Sequence, residues 1–158
     1  MNKLTHLDQN GNAQMVDVSE KEITNRKATA TCSISMKRET LKLIIEGGVS
    51  KGDVLAVSRL AGIMAAKQTS ALIPLCHPIS LTSIDLILIC DEEKSAIDIT
   101  STCKVAGQTG VEMESLTAVS VAALTVYDMC KAVDRGMIIS NIRLLNKSGG
   151  NSGTWQAD

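Results

Sequence analysis

Residues 28–37 read ATATCSISMK, a stretch in which apolar and polar side chains alternate. On an extended chain the two sets face opposite ways: Ala28, Ala30, Cys32, Ile34 and Met36 against Thr29, Thr31, Ser33 and Ser35. Alternation over this length predicts a β-strand with one buried face. The layer that covers this face must come from the segments around it.

Two helices are predicted directly after this strand. Thr40–Glu46 forms the first, and a Gly-Gly pair follows it, as expected beyond a helix C-terminus. Asp53–Gln68 forms the second, with a possible Ser-x-x-Asp start signal at Ser50. Gly62 inside this helix costs about 1 kcal/mol relative to Ala, so we expect a close packing contact there.

Two further strands are predicted at Ser80–Cys90 and Ser95–Val105, joined by the charged turn Asp91–Lys94. The second strand alternates between apolar and polar residues, as a half-buried strand does. The first is apolar on both faces over Leu86–Ile89, which indicates burial on both sides. A partner subunit could provide the second covering surface.

The longest predicted helix covers Glu112–Val133, and a last strand covers Met137–Leu145. Thr109 and Glu112 have the spacing of a capping box, with Thr109 as the N-cap. The order β-α-α-β-β-α-β predicts an α+β fold, in which helices cover one face of an antiparallel sheet.

A single domain is expected to account for all 158 residues, a length that can build its own core. Residues 1–27 are polar, so we interpret them as an N-terminal arm with a short strand at Met15–Val18. Residues 147–158 are interpreted as a flexible Gly/Ser tail.

The composition argues against a nucleic-acid partner. Hydrophobic residues make up 44% and charged residues 21%, as in ordinary globular proteins. The chain has no Phe, one Trp and one Tyr, and its formal net charge is −1. Nucleic-acid binding commonly uses aromatic stacking and a basic surface. Any anion site must therefore be local.

Cysteine usage and hydropathy indicate a cytoplasmic protein. The five cysteines are dispersed without a C-x-x-C pair, which is typical of reduced thiols. Only His6 and His77 could join them at a zinc ion, and their spacing fits no standard metal site. No apolar stretch of about 18 residues is present, so no membrane span is expected.

The segment Ile73–Pro78 reads IPLCHP and contains both prolines of the chain. These prolines stiffen the backbone that presents His77. His77 could bind a phosphate or transfer a proton, and a loop histidine with an ordinary hydrogen bond fits the pattern equally well. Cys76 has no base nearby in sequence, which does not favour a nucleophilic role.

Asp128 and Lys131 lie three residues apart in the long predicted helix, so they share a face and can pair. Taken alone, the pattern favours a surface ion pair that contributes little to stability. The apolar stretch Val119–Val126 before them instead favours partial burial, which can tune pKa values for acid–base chemistry.

Glu112 and Glu114 lie at the start of the same helix, where Glu112 could serve only the capping box. Glu114 precedes Asp128 by fourteen residues, hence by about 21 Å along the helix axis and about 40° around it. One small substrate cannot easily contact both within one chain. A site that uses both is therefore predicted to combine two subunits.

Five cations are candidates for holding phosphate groups: Lys51, Arg59, Lys67, Lys131 and Lys147. Lys51 lies at a predicted helix N-terminus, which favours anions. Lys147 precedes the Gly/Ser tail, which either wraps a phosphate or frays. The chain contains neither a P-loop nor a Rossmann glycine pattern.

Taken together, these motifs resemble the cyclic pyranopterin monophosphate synthase family over nearly the whole chain. Seven segments in order make the resemblance specific: Met15–Val18, Lys51–Val54, Arg59–Gly62, Ile73–Pro78, Thr109–Glu114, Tyr127–Ala132 and Lys147–Gly150. Asn151 is a departure, because some members carry Lys there. It affects only how tightly the tail grips a phosphate.

The resemblance implies a ferredoxin-like fold and a hexamer built as a trimer of dimers, with active sites at a subunit interface. It implies conversion of 3′,8-cyclo-7,8-dihydroguanosine 5′-triphosphate to cyclic pyranopterin monophosphate and pyrophosphate, early in molybdenum cofactor biosynthesis. By motif, Asp128 is the catalytic acid–base residue and Lys131 its partner. The implied substrate-binding residues are Leu75, Cys76, His77, Met113 and Glu114.

The implied chemistry suits these residue types. Rebuilding an aminal ring moves protons, which suits a paired carboxylate and amine. The residues predicted to stabilise the growing charge of the departing pyrophosphate are Lys51, His77, and Lys147 or Lys67. Glu112 or Glu114 is predicted to accept a hydrogen bond from the amino edge of the base. No cofactor is expected, although a divalent ion could accompany the triphosphate.

Two rival interpretations predict different effects of substituting Asp128. A ligand-binding regulatory module of ferredoxin-like fold would lose affinity and have no reaction to lose. A purely structural oligomer, with Asp128–Lys131 as an interface salt bridge, would dissociate. Neither explains why charged residues occur in all the matched segments.

Overall fold

The computed structural model describes residues 6–158; residues 1–5 of the predicted arm lie outside this range. In chain order its elements are β1 (Thr24–Ser35), α1 (Arg38–Ile45), α2 (Val54–Lys67), α3 (Thr69–Leu72), β2 (Ser83–Asp91), β3 (Ala96–Gly107), α4 (Glu112–Cys130), β4 (Ile138–Ser148) and β5 (Trp155–Gln156). The predicted helices and the four predicted strands after residue 27 are all present, with shifted ends.

The strands form one antiparallel sheet in the order β2-β3-β1-β4-β5. β1 pairs with β3 on one side and with β4 on the other, so it lies at the centre. The first four strands and their intervening helices follow the βαββαβ arrangement of ferredoxin-like folds. The predicted α+β fold with an antiparallel sheet is confirmed.

Helices cover one face of this sheet, as predicted. α4 packs across β1, β3 and β4, while α2 packs against α4 and β2. The covered face of β1 is the apolar set of its alternation, because Ala28, Ala30, Cys32 and Ile34 are at most 1% exposed. Removing these apolar surfaces from water holds the two layers together.

Gly62 lies where α2 contacts both α4 and β2, which confirms the expected close contact. A Cβ atom at this position would lie 2.8 Å from the carbonyl oxygen of Ala118 and 2.5 Å from Cδ2 of Leu86. Only a residue without a side chain permits this approach.

The predicted capping box at the start of α4 is wrong. The N-cap is Val111, which forms no side-chain cap hydrogen bond. The Glu112 carboxylate turns against Gly110, and its Oε1 atom lies 3.8 Å from Lys147 Nζ. The charge of Lys147 therefore competes with the backbone amide that a capping box would use.

The end of the predicted arm and the predicted tail contain more β-structure than the sequence indicates. β1 begins at Thr24, inside the predicted arm, and Met15–Val18 forms no strand. β4 continues to Ser148, and β5 then pairs with its end at Asn146 and Lys147. A two-residue strand has no detectable period, which is why residues 147–158 resembled a loose tail.

Asp134 joins the end of α4 to the start of α1. Its side chain is 2% exposed, and its carboxylate accepts from Lys37 N at 2.9 Å, Thr40 Oγ1 at 3.2 Å and Gly136 N at 3.0 Å. The hydrogen bond from the Lys37 amide is the largest cause that lowers the pKa of Asp134. α4 ends before the predicted Val133 because the chain turns here.

We expect Asp134→Ala to lower the free energy of unfolding by about 2–3 kcal/mol, since one buried and two partly buried donors lose their acceptor. The pKa of Asp134 is lowered on folding, so its contribution is present above about pH 4 and is lost as the pH falls through the folded pKa. Urea unfolding at pH 7 and pH 3 measures both effects. Asp85→Ala, on an exposed position of β2, should change stability by less than about 0.5 kcal/mol.

Among the described residues, no helix combines the length and apolar character that crossing a bilayer requires.

The exposed side of β2 carries Ile87 and Ile89, which are 42% and 60% exposed, whereas Leu86 is buried. Within one chain, therefore, only one face of this predicted doubly apolar strand is covered.

Candidate functional site

Two separate pockets lie at the two ends of α4. The Glu114 pocket has a volume of about 490 Å³ and is lined by His6, Val16, Val18, Lys21, Ile73, Leu75, Cys76, His77, Thr109, Gly110, Glu112, Met113 and Glu114. The Asp128 pocket has a volume of about 340 Å³ and is lined by Lys51, Tyr127, Asp128, Lys131, Ala132 and Arg135.

Three segments build the Glu114 pocket: the loop after α3, the β3–α4 loop with the first turn of α4, and the N-terminal arm. His77 Nε2 lies 2.7 Å from the carbonyl oxygen of Val16, to which it donates. The loop histidine thus holds the arm against the pocket.

Glu114 is a buried carboxyl group with little polar compensation. It is 2% exposed, and the thiol of Cys76 lies 3.9 Å from its Oε1 atom. Burial, together with a smaller contribution from the charge of Glu112, raises the pKa of Glu114 to about 7. Burial and the two glutamates also raise the pKa of Cys76, which argues against a thiolate nucleophile.

Two of the predicted phosphate-binding lysines lie beside this pocket. Lys147 in β4 is close to Glu112 and donates to Ser152 Oγ, so it joins the pocket rim to the tail. Lys67, the last residue of α2, lines a smaller cavity together with His77 and Glu114.

The raised pKa of Glu114 predicts that the free energy of unfolding depends on pH, and that Glu114→Gln removes this dependence. The pKa rises from 4.5 to about 7 on folding, so between these values the folded chain keeps a proton that the unfolded chain has released. Stability therefore falls as the pH rises through this range. From pH 5 to pH 8 we expect the wild type to lose on the order of 3 kcal/mol relative to Glu114→Gln in urea unfolding.

The exposed substitution Glu20→Gln is the matched control for this measurement and should follow the wild type at both pH values. All chains are compared at one concentration, because assembly shifts apparent stability. Parallel pH curves for Glu114→Gln and wild type would show that Glu114 titrates normally.

The Asp128 pocket is built around one carboxylate and two lysines. Asp128 Oδ1 lies 2.5 Å from Lys131 Nζ, and Asp128 Oδ2 lies 3.0 Å from Lys51 Nζ. Lys51 Nζ also donates to the backbone carbonyl of Asp128 at 2.9 Å. The hydrogen bond from Lys131 and then that from Lys51 lower the pKa of Asp128, so it is ionised at neutral pH.

The expected partial burial of Asp128 and Lys131 is wrong for a single chain. Their side chains are 57% and 52% exposed. The inward positions of the last turn are taken by Val126, Met129 and Cys130, so the charged pair faces outward.

The structure thus separates the predicted site residues into two groups. Leu75, Cys76, His77, Glu112, Met113 and Glu114 line the Glu114 pocket, with Lys67 and Lys147 beside it. Lys51, Asp128 and Lys131 line the other. Because one continuous helix carries Glu114 and Asp128, the estimate of about 21 Å between them along its axis holds. Arg59 lies elsewhere, in an apolar groove of α2 and β2.

Sequence patterns missed several residues that line the two pockets. His6 and Lys21 reach the Glu114 pocket from the arm, and Arg135 lies beside Asp128. His6 and Lys21 belong to a segment without periodicity, which gives no signal of where it lies. Within residues 6–158, no group of three or more His, Cys, Asp or Glu side chains could hold a metal ion.

This arrangement defines an α+β domain of ferredoxin-like topology with charged, pocket-lining side chains at both ends of one helix. A family model described as "MoaC family" matches residues 15–150. The chain belongs to the MoaC family.

Curated relatives match the chain over nearly its full length. A protein of Thermoanaerobacter sp. (strain X514) is 59% identical over 98% of both chains. One of Parvibaculum lavamentivorans is 59% identical over 98% of this chain and 97% of its own. One of Heliobacterium modesticaldum is 60% identical over 97% of this chain and 96% of its own. Each is named cyclic pyranopterin monophosphate synthase.

Proposed function

We propose that this chain is a lyase that converts 3′,8-cyclo-7,8-dihydroguanosine 5′-triphosphate to cyclic pyranopterin monophosphate and pyrophosphate. This is an early step of molybdenum cofactor biosynthesis. Relatives at 59–60% identity that carry the synthase name support the reaction. The observation that carries the chemistry is the cluster of Lys51, Asp128 and Lys131, in which a carboxylate directly contacts two ammonium groups.

Asp128 and Lys131 are the proposed acid–base pair. The lowered pKa of Asp128 leaves it unprotonated at neutral pH, so it can accept a proton during ring rearrangement. Lys131 contacts the same carboxylate and is the proposed proton donor. Lys51 completes the cluster and supplies positive charge for the phosphates.

The Glu114 pocket is the proposed site for the heterocycle. Leu75 and Met113 provide apolar walls, while Glu112 and Glu114 provide oxygen acceptors for an amino edge. Cys76 and His77 complete the predicted binding set. Lys67 and Lys147 flank the pocket and are proposed to contact phosphate groups.

A complete site is proposed to combine the Glu114 pocket of one copy with the Asp128 pocket of another. The separation of about 21 Å along α4 prevents one small molecule from reaching both within one chain. Exposed Ile87 and Ile89 on the edge strand β2 favour a further contact between copies. The proposed assembly is a hexamer, a trimer of dimers, in the cytoplasm.

No resident cofactor enters the proposal, and any divalent ion would arrive with the triphosphate. The test is incubation of the purified chain with the cyclised dihydro-GTP, with the pterin product and pyrophosphate quantified together. We expect equal amounts of the two, and no product from GTP as the control. Tight binding without turnover would instead support the non-catalytic, nucleotide-binding regulatory module.

A further inference from the structure

The N-terminal arm forms a tight turn beside the Glu114 pocket. The Asp17 carboxylate accepts from the backbone amide of Ser19 at 2.9 Å, and the amide of Lys21 donates to the carbonyl of Val18 at 3.0 Å. Val16, Val18 and Lys21 all line the pocket. The path of this turn therefore decides what the arm presents to a bound molecule.

Gln108 contacts this turn with its side chain. It directly follows β3, and its side-chain Nε2 donates to the carbonyl of Ser19 at 3.2 Å and to that of Lys21 at 2.9 Å. The neutral amide has two N–H donors, and both are used on the same turn. These two carbonyls belong to the residues on either side of position 20. The contact therefore restrains the backbone that carries the Lys21 side chain.

Lys21 brings positive charge to a pocket that otherwise carries carboxylates. It is the only lysine or arginine among the described residues that line the pocket, which also contains Glu112 and Glu114. Lys21 takes part in none of the salt bridges found within residues 6–158. A phosphate oxygen is the ligand that such an ammonium favours.

We propose that Gln108 is a positioning residue that holds Lys21 at the rim of the Glu114 pocket, where the Lys21 ammonium binds a phosphate group of the substrate. This inference rests on the proposed function, because the triphosphate supplies the anion. Gln108 acts only through the arm, and it is Lys21 that makes the contact.

A double-mutant cycle tests this role with Gln108→Met, Lys21→Met and the double variant. Methionine has the length of glutamine, is one atom shorter than lysine, and removes the hydrogen-bond donors of both. Each single change should raise the KM about ten-fold and leave kcat within about two-fold, since both weaken binding and not chemistry. The double variant should also show a rise of about ten-fold, because the two residues serve one contact.

Gln9→Met is the matched control, since Gln9 is an exposed glutamine of the same arm. Hydrogen exchange at the amides of residues 16–21 gives a second readout, and Gln108→Met should accelerate it about ten-fold. An unchanged KM for Gln108→Met, or a rise of about a hundred-fold in the double variant, would overturn the proposal. A wild type without turnover would contradict the proposed function alone, because the same cycle can be read as the Kd of the triphosphate substrate.

Discussion

Asp128→Asn is expected to lower kcat for pyrophosphate release about a thousand-fold while the chain keeps its fold and assembly. In the wild type the two carboxylate oxygens hold Lys131 and Lys51 in place. An amide of the same shape has no charge and cannot accept a proton at neutral pH. Lys131→Ala removes the proposed donor from the other side of the pair and should cause a comparable loss.

The matched control for this experiment is Asp91→Asn. Asp91 pairs with Lys94 three residues later at 2.7 Å, but at the end of β2 and outside both pockets. We expect it to keep wild-type turnover. Size-exclusion chromatography of every variant separates loss of chemistry from loss of assembly. Activity of Asp128→Asn within ten-fold of wild type would place the chemistry elsewhere, and dissociation would favour an interface salt bridge.

Gly62→Ala is expected to lower the free energy of unfolding by about 3 kcal/mol. In an exposed helix the same change would stabilise by about 1 kcal/mol. Here the added Cβ would lie 2.8 Å from the carbonyl of Ala118, which is backbone and cannot rotate away. α2 must therefore move away from α4, and the contact between the two helices loosens.

Ala56→Gly is the control for this measurement, because it makes the reverse change on an exposed position of the same helix. We expect a loss of about 1 kcal/mol from helix propensity alone. Guanidinium unfolding at one chain concentration gives both values. A Gly62→Ala chain as stable as wild type would mean that the helices can separate at no cost.

The parts of the fold with a strong period could be predicted from the sequence. The alternation in β1 identifies its buried face residue by residue, and the apolar length of α4 identifies the longest helix. The order of the strands in the sheet is implied only by the family resemblance, because periodicity does not show which strands are neighbours. β5 was missed because its two residues show no period.

The candidate site could be predicted only where its residues are close in sequence. Asp128 and Lys131 form a pair because a helix brings positions three apart together. Lys51 is 77 residues from Asp128, and no local pattern shows that it contacts the same carboxylate. The arm was the hardest part to place, because the contacts from His77 and Gln108 reach backbone carbonyls. Every residue carries such an acceptor, so nothing in the sequence marks those that are used.

The rigid span of α4 has a consequence for the arithmetic of assembly. Because α4 places half of the proposed site at each end, every chain contributes residues to two sites and forms neither of them alone. A closed ring then contains as many complete sites as chains, and an isolated chain contains no complete site. On dilution, turnover per chain should fall together with the fraction of chains that remain assembled.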